Sequence, residues 1–433
     1  IGKGASELFS ADNSICLNAS GIAHSATNSG FYVNPVREDV GETTKSIYYN
    51  TTTKELTYAN SGGGGGGGTT LPDGTAYSNY AYWDEAGGQW QTETGTNVHI
   101  GPDAGLSTQG TGAIAIGANT GQTYQDVDAI AIGRLAGSTT QGTLSTAVGP
   151  FAGQTNQGTQ AVAVGDEAAR FNQGNFSVAI GGRAAETYQG NAAVAIGDQA
   201  ATATQGLYGV AIGIQAGRTV QGQRGVAIGV LAGAGTQGQY SVAIGNFTGY
   251  VSQGTFSVAI GSQAGITNQG QSAIGIGYLA GGGTQGQSSI AIGYQAAQTN
   301  QSNFSVAVGY QSGQGTQGLY SVAVGTLAGR ISQGGGSIGI GYQAAENSQS
   351  TSAVAIGSNA AETSQGTSSV AIGYYAGAGS QGTNSIAIGQ SSGRIEQQGS
   401  AVAIGYFSGY STQGIYSVAI GREAGETAQG SNS

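Results

Sequence analysis

The stretch "SVAIGNFTGYVSQGTF" runs from Ser241 to Phe256, and "SVAIG" begins again at Ser257. Its Val/Ile-Ala-Ile/Val-Gly core, with minor variants, recurs every sixteen residues from Val98 to Val418, in 21 copies without an insertion or deletion. An extra residue in one coil of a stacked β-solenoid would shift every ladder beyond it, so a strict period is typical of such a stack. Repeats this short and this rich in Gly, Ser and Thr cannot form two helices. The period therefore predicts an all-β chain of sixteen-residue coils.

The core triplet alternates large, small and large side chains, which is the period of a β-strand. We expect Val242 and Ile244 to face the inside of the coil and Ala243 to face outward. An outward position that stays small predicts a flat face against which another chain packs, and one sixteen-residue coil encloses little core by itself. Both points favour several chains side by side. The expected chain-packing face includes Ala115, Ala227, Ala243, Ala259 and Ala371.

Two further residues occur in every copy. The glycine that ends the core suits a corner with positive φ, and a glutamine follows eleven residues after the core begins. Stacked amides can donate and accept from coil to coil, so these positions predict a structural ladder. Its representative members are Gln109, Gln125, Gln141, Gln237, Gln253, Gln269, Gln429, Gly117, Gly245, Gly261 and Gly421.

A row of tyrosines occupies the position directly after the core glycine in six coils: Tyr278, Tyr294, Tyr310, Tyr342, Tyr374 and Tyr406. A second aromatic set, including Phe256 and Tyr320, lies two residues before the core. Aromatic packing between coils or chains is one interpretation. A candidate ligand face that binds glycans or a receptor is the other, and the sequence leaves both open.

The composition excludes several classes of protein. The chain has 83 Gly but only 4 Pro among its 433 residues, charged residues make up 8%, and the net charge is −10. Without a basic stripe we expect no nucleic-acid partner, and without an apolar run of about 20 residues we expect no membrane insertion. The single cysteine, Cys16, cannot form an internal disulfide. Met is absent, which predicts that Ile1 marks a processing site or the edge of a longer protein.

No chemical site emerges from the motifs. We find no nucleophile–base arrangement, so we expect no enzyme activity and no cofactor. No cluster of His, Cys or carboxylates has metal-ligand spacing. Asp126 and Asp128, two apart where one Gln-Gly pair is broken, give only a weak indication of calcium. An ice- or mineral-binding solenoid is a third, weaker class, because no Thr-x-Thr row recurs on one face.

The first hundred residues are organised differently. We predict an N-terminal β module at 1–60, a Gly-rich linker at 61–72, a β-hairpin module at 73–97 and the roll at 98–433. In the first module, "SICLN" and "FYVN" lie sixteen residues apart in the register of the repeat, and "SIYYNTTTKELTYA" reads as a hairpin with strands at 47–50 and 55–58. In the hairpin module, Trp83 and Trp90 are expected to approach each other across the strands.

"NFSVAIGGRAA" and "YSVAIGNFTG" resemble the YadA-like head repeats of trimeric autotransporter adhesins. This resemblance, over 98–433, implies a left-handed parallel β-roll with three chains side by side. "SGFYVNPVRED", "KSIYYNTTTKELTY" and "NYAYWDEAGGQWQTE" resemble segments of fibre-like structural proteins of large DNA viruses of algae and protists, and of phage tail fibres.

Together these observations predict an all-β protein: a long left-handed parallel β-roll, homotrimeric, behind small β-hairpin modules. The expected function is structural, in an extracellular or virion-surface fibre, filament or stalk with an adhesive role. The expected partner is the chain itself, as a homotrimer and in an end-to-end filament, together with a host-surface glycan or receptor. The alternative is an adhesin whose aromatic stripe binds glycans or a receptor.

Overall fold

The computed structural model describes four short strands before residue 61, Thr52, and residues 80–84, 87–93 and 95–433. The chain divides into two compact units, 1–94 and 95–433. The described residues contain no helix, and all regular structure in them is β. The all-β prediction is confirmed. The glycine run at 62–68, expected to be a linker, lies outside the described residues.

Three strand pairs occur among the described residues of the first unit. Ile15–Asn18 pairs in parallel with Phe31–Asn34, and Ile15 stands opposite Phe31, sixteen residues later, as the repeat register predicts. Lys45–Tyr49 and Leu56–Asn60 form an antiparallel hairpin. The strands of this hairpin begin and end within two residues of the predicted ones.

A second hairpin joins Ala81–Asp84 to Gln89–Thr92. Trp83 and Trp90 are directly opposed, with ring centroids 5.7 Å apart in an edge-to-face arrangement. The predicted approach of the two tryptophans is therefore confirmed. Such a pair stabilises a short hairpin beyond the area that it buries.

The second unit is a stack of 21 coils, each contributing one three-residue strand that we call the core strand. Every residue of a core strand pairs in parallel with the residue sixteen positions later, as Ala243 does with Ala259. The core strands are Val98–Ile100, Ile114–Ile116, Ile130–Ile132, Thr146–Val148, Val162–Val164, Val178–Ile180, Val194–Ile196, Val210–Ile212, Val226–Ile228, Val242–Ile244, Val258–Ile260, Ile274–Ile276, Ile290–Ile292, Val306–Val308, Val322–Val324, Ile338–Ile340, Val354–Ile356, Val370–Ile372, Ile386–Ile388, Val402–Ile404 and Val418–Ile420.

A second, 18-stranded parallel sheet contains the glutamines that recur eleven residues after the start of each core strand. We call the strands of this sheet the bend strands. In the first coils the same glutamines form single parallel bridges, from Gln109 to Gln157. The bend strands are Thr155–Gln157, Phe171–Gln173, Tyr188–Gln189, Thr204–Gln205, Val220–Gln221, Thr236–Gln237, Ser252–Gln253, Asn268–Gln269, Thr284–Gln285, Asn300–Gln301, Thr316–Gln317, Ser332–Gln333, Ser348–Gln349, Ser364–Gln365, Ser380–Gln381, Glu396–Gln397, Thr412–Gln413 and Ala428–Gln429.

Tight turns with positive φ join the two sheets. In one coil, Gly133 has φ 122°, Leu135 has φ 60° and Gly137 has φ 52°. The Ala136 N–H donates to the Gly133 carbonyl over 3.1 Å, and a positive φ at the third residue is the mark of a type II turn. A side chain built at Gly133 would lie 2.7 Å from the carbonyl group of Gly149, so the next coil also excludes any larger residue. The predicted glycine corner is confirmed.

The orientation of the core strand is opposite to the expectation. Ala243 is fully buried, whereas Val242 and Ile244 are only partly buried. A Cβ built at Gly249 would lie 3.4 Å from the Ala243 Cβ and 3.0 Å from Oε1 of Gln253, so these three residues meet inside one coil. The coil is too narrow for Val or Ile beside a glutamine.

The proposed chain-packing face must accordingly be corrected. The alanines assigned to it lie inside the chain's own coil, each 0% exposed: Ala115, Ala227, Ala243, Ala259 and Ala371. A fully enclosed methyl group offers no surface to a second chain. The outward face of the core sheet consists instead of the Val and Ile residues on either side of each alanine.

Candidate functional site

The glutamines form a buried column through the stack. In one rung, Nε2 of Gln365 donates to the carbonyl oxygen of Val354 over 2.7 Å and to that of Ser369 over 3.3 Å. It also donates to Oε1 of Gln381 in the next coil over 3.2 Å, while Oε1 of Gln365 accepts from Gln349 over 2.9 Å. Each such amide ties its bend strand to the preceding core strand and to its own turn.

The same arrangement holds along the predicted ladder. Every predicted member from Gln109 to Gln429 donates to the carbonyl eleven residues earlier, over distances between 2.7 and 3.0 Å. The interior members among them, from Gln125 to Gln269, are at most 4% exposed. The side chains therefore serve the interior of the roll rather than its surface.

The column is not continuous. Buried Oε1 atoms without a hydrogen-bond partner occur on Gln157, Gln237, Gln253, Gln269 and Gln301. Three of these belong to consecutive coils. At these rungs the amide keeps its bond to the core-strand carbonyl but lacks the bond from the neighbouring glutamine, so the rungs are unequal in energy.

The predicted corner glycines have the backbone that only glycine adopts readily. Their φ angles are 132° at Gly117, 134° at Gly245, 122° at Gly261 and 118° at Gly421. At Gly261 a Cβ would also lie 2.7 Å from the carbonyl oxygen of Gly277, while at Gly421 nothing lies within 4 Å. These residues shape the coil and carry no chemistry.

The outward face of the core sheet is an extended apolar surface, which we call the Val/Ile face. It consists of the first and third residues of each core strand, which are all Val or Ile except for Thr146. Exposed fractions include 38% for Ile180, 36% for Ile292, 38% for Ile340 and 37% for Ile372. Single exposed aliphatic residues are normal, but an unbroken row on a flat sheet marks an interaction surface.

The predicted tyrosines form an exposed row on the corner next to the Val/Ile face, and we call it the tyrosine row. Tyr278, Tyr294 and Tyr310 stack with centroid separations of 5.1 and 5.2 Å. From Tyr310 onward, tyrosines occupy alternate coils. The six members are between 42% and 52% exposed: Tyr278, Tyr294, Tyr310, Tyr342, Tyr374 and Tyr406. Packing between coils therefore accounts for the first three. Tyr374 packs edge-on against Tyr375 and Tyr406 packs against Phe407, both with centroids 4.5 Å apart, whereas Tyr342 makes no ring contact within residues 95–433.

Sequence reasoning missed the arginine stacks. Arg224 places its guanidinium 5.3 Å from the ring centre of Tyr208 and 5.4 Å from that of Tyr240, which lie one coil to either side. Arg422 lies 5.6 Å from the ring centre of Tyr406 within the tyrosine row itself. The signal was present, because Arg and Tyr share the same position in successive repeats.

The two carboxylates that suggested calcium have other roles. Asp126 accepts from the Thr143 hydroxyl over 2.6 Å and from the Val127 N–H over 2.8 Å. These hydrogen bonds, Thr143 first, hold the pKa of the Asp126 carboxyl below its usual range. Asp128 has φ 52° in a turn. Within the described residues, no group of three or more His, Cys, Asp or Glu could hold a metal ion.

The comparison with known families supports this geometry. Three segments, at residues 221–248, 285–312 and 364–392, match a family model whose description is YadA head domain repeat (2 copies). The matched segments are similar to YadA head repeats. The remaining coils keep the same sixteen-residue register on both sides of them. No curated protein and no solved structure matches the chain.

YadA head repeats are structural repeats of surface adhesins, and adhesins of this type self-associate as homotrimers. In residues 95–433 the coils present buried amides, an apolar sheet face and exposed aromatic rings, some of them stacked with arginine. In the part of the chain that the structure describes, no helix is long and apolar enough to cross a membrane.

Proposed function

We propose that this chain is a structural component of an extracellular or virion-surface fibre, filament or stalk with an adhesive role. It assembles as a homotrimer through the Val/Ile face and extends end to end into a filament. Twenty-one coils at about 4.8 Å per coil give a stack on the order of 100 Å long. We find no catalytic arrangement in residues 95–433. A stack of this length suits a stiff spacer.

One observation supports the homotrimer above all. The roll fills its own interior with Ala, Ser and Gln and places two columns of Val and Ile side chains on the outward face of the core sheet. Burying that face contributes about 25 cal/mol for each Å² of apolar surface removed from water. In a thin roll with little core of its own, the contact between chains supplies the missing burial.

The test compares two triple variants of the full chain by analytical ultracentrifugation. Val226→Gln/Val242→Gln/Val258→Gln places amides on the Val/Ile face, whereas Thr236→Gln/Asn268→Gln/Thr284→Gln places them at exposed positions of the bend strands. We expect three chains per particle for the unchanged protein and the bend-strand variant, and single chains with retained β-sheet circular dichroism for the Val/Ile variant. A monomeric unchanged protein would overturn the proposal.

The exposed tyrosine row favours a second candidate, an adhesin that binds a host-surface glycan or receptor. The rings of this row are 42% to 52% exposed, and aromatic faces stack on sugars. A glycan array tests it, with Tyr342→Ser/Tyr374→Ser as the variant and Tyr342→Phe/Tyr374→Phe as the control that keeps the rings. Binding that the Ser variant loses and the Phe variant keeps supports this candidate. Absence of any glycan signal for the unchanged protein rejects it.

A further inference from the structure

The tyrosine row is interrupted in three coils. Between Tyr374 and Tyr406 the position holds the long side chain of Gln390, and the other two interruptions hold small side chains. Thr326 stands between Tyr310 and Tyr342, and Ser358 stands between Tyr342 and Tyr374. We call these positions the Thr326 gap and the Ser358 gap. Adjacent rings of the row are 5.1 to 5.2 Å apart, so rings two coils apart leave a separation of roughly 10 Å, twice the strand spacing. This separation admits one planar group between two ring faces.

Elsewhere the molecule fills such a space with its own arginine. Arg224 occupies the coil between Tyr208 and Tyr240, its guanidinium more than 5 Å from either ring centre, and it donates to the Tyr240 hydroxyl over 2.8 Å. Within the tyrosine row, Arg422 stacks beyond Tyr406. Guanidinium is therefore the group that this surface accommodates between or beside its rings.

The two gaps have no such occupant. In residues 95–433, no ring contact or cation contact involves Tyr342, and Thr326 is exposed. The Ser358 gap is also linked to a carboxylate. The Ser358 hydroxyl donates to Asn359 over 2.9 Å, and the Asn359 amide donates to Glu362 over 3.1 Å. Glu362 takes part in none of the ion pairs of this unit.

We propose that the Thr326 gap and the Ser358 gap bind arginine side chains of a partner polypeptide. A guanidinium is planar, weakly hydrated and attracted by the faces of tyrosine rings. The net charge of −10 favours a cationic partner. A lysine ammonium lacks the flat shape that fills the space between two parallel rings.

The spacing of the gaps also restricts the partner's backbone. The gaps are two coils apart, about 9.6 Å. A polyproline II segment advances about 9.3 Å in three residues and returns to the same face. A partner with the pattern Arg-x-x-Arg in this conformation reaches both gaps at once. The inference requires only the folded roll and not the trimer.

The test uses the full chain and a synthetic probe, acetyl-Gly-Arg-Pro-Pro-Arg-Gly-amide, with its Lys-for-Arg counterpart, in calorimetric titrations at low salt. We expect the Arg peptide to bind at least about fivefold more tightly than the Lys peptide, as an exposed cation–π difference allows. Thr326→Tyr/Ser358→Tyr closes both gaps with the residue that six other coils carry there, so folding is preserved. It should lower the affinity at least tenfold.

Thr326→Ala/Ser358→Ala is the matched control, because it leaves the gaps open, and its affinity should stay within about twofold. Equal binding of the Arg and Lys peptides would overturn the proposal and leave only charge attraction. Unchanged binding by the Tyr variant would overturn it as well. A change of oligomeric mass in the Tyr variant would assign the row to a contact between copies of this chain instead.

Discussion

Gln349 donates its side-chain amide to the carboxamide oxygen of Gln365, one coil further along, over 2.9 Å. Both side chains are buried, at 2% and 1% exposed. A side-chain amide has both donors and an acceptor, so identical residues in register can satisfy one another. This relationship explains why the chain repeats the same residue at the same place in every coil.

The unequal rungs of the glutamine column allow a paired test. Gln365→Leu keeps the volume but removes the acceptor that Gln349 uses in the next coil and the donor to Oε1 of Gln381, so the free energy of local opening should fall by about 1–3 kcal/mol. Gln253→Leu should cost less, because Oε1 of Gln253 has no partner to lose. Hydrogen exchange of the amides in each altered coil measures the difference. Equal losses at the two positions would contradict the broken column.

The inverted core strand predicts where large side chains are tolerated. Ala243→Val should destabilise the roll by about 1–3 kcal/mol, because the methyl group faces Gly249 and Gln253 inside a closed coil. Val242→Ala, on the Val/Ile face, should leave the fold of a single coil intact and weaken association only. Urea unfolding at low protein concentration separates the two effects. If Ala243→Val leaves the free energy of unfolding unchanged, the interior of the coil is wider than observed.

The corner glycines differ in their neighbours. Comparing two of them separates the cost of backbone strain from the cost of a clash with the next coil. Gly261→Ala combines a φ of 122° with a contact 2.7 Å from the Gly277 carbonyl oxygen, whereas Gly421→Ala has the φ strain alone. We expect Gly261→Ala to lower the free energy of unfolding by more than about 3 kcal/mol and Gly421→Ala to lower it by about 1–3 kcal/mol. Thermal unfolding of the two variants provides the comparison. If Gly421→Ala proves the more damaging, backbone strain rather than the neighbouring coil governs this corner.

Non-glycine residues with positive φ store strain that can be relieved. Ser272 has φ 56° in an exposed turn, and the equivalent Gly336 has φ 64°. Ser272→Gly should stabilise by about 0.5–1 kcal/mol, since left-handed backbone costs an L-residue about 1–2 kcal/mol and the greater flexibility of the unfolded glycine offsets about 0.5–1 kcal/mol of that gain. Gln271→Gly, one residue earlier in the same turn, relieves no such strain and should destabilise. Chemical denaturation of both variants tests the sign, and destabilisation by Ser272→Gly would refute the argument.

The hydrogen bond from Thr143 makes a pH-dependent contribution. The folded-state pKa of Asp126 is lowered, so its stabilisation is present above the unfolded value of about 3.9 and is lost as the pH falls through the folded pKa. Thr143→Val should raise the pKa of Asp126 and reduce the loss of stability between pH 5 and 2. Thr143→Ser keeps the hydroxyl and should leave both unchanged. Carboxyl carbon NMR titration reads the pKa directly.

Much of the roll follows from the sequence alone. The period of sixteen fixes the coil and its register, because Gln253 can meet Gln269 in a stack only if no residue is added between them. Gly261 predicts its corner, because no other residue adopts its φ readily. The hairpin with Trp83 opposite Trp90 likewise follows from local alternation and a Gly-Gly turn.

The sequence does not determine which face of the core strand is inside. Alternation places Ala243 opposite Val242 and Ile244, but the pattern is the same if the two faces are exchanged. The usual preference for burying the larger apolar residues gives the wrong answer here. Only the closed coil decides the matter: two short strands joined by tight turns enclose room for a methyl group and one extended glutamine, and the Val and Ile side chains must lie outside.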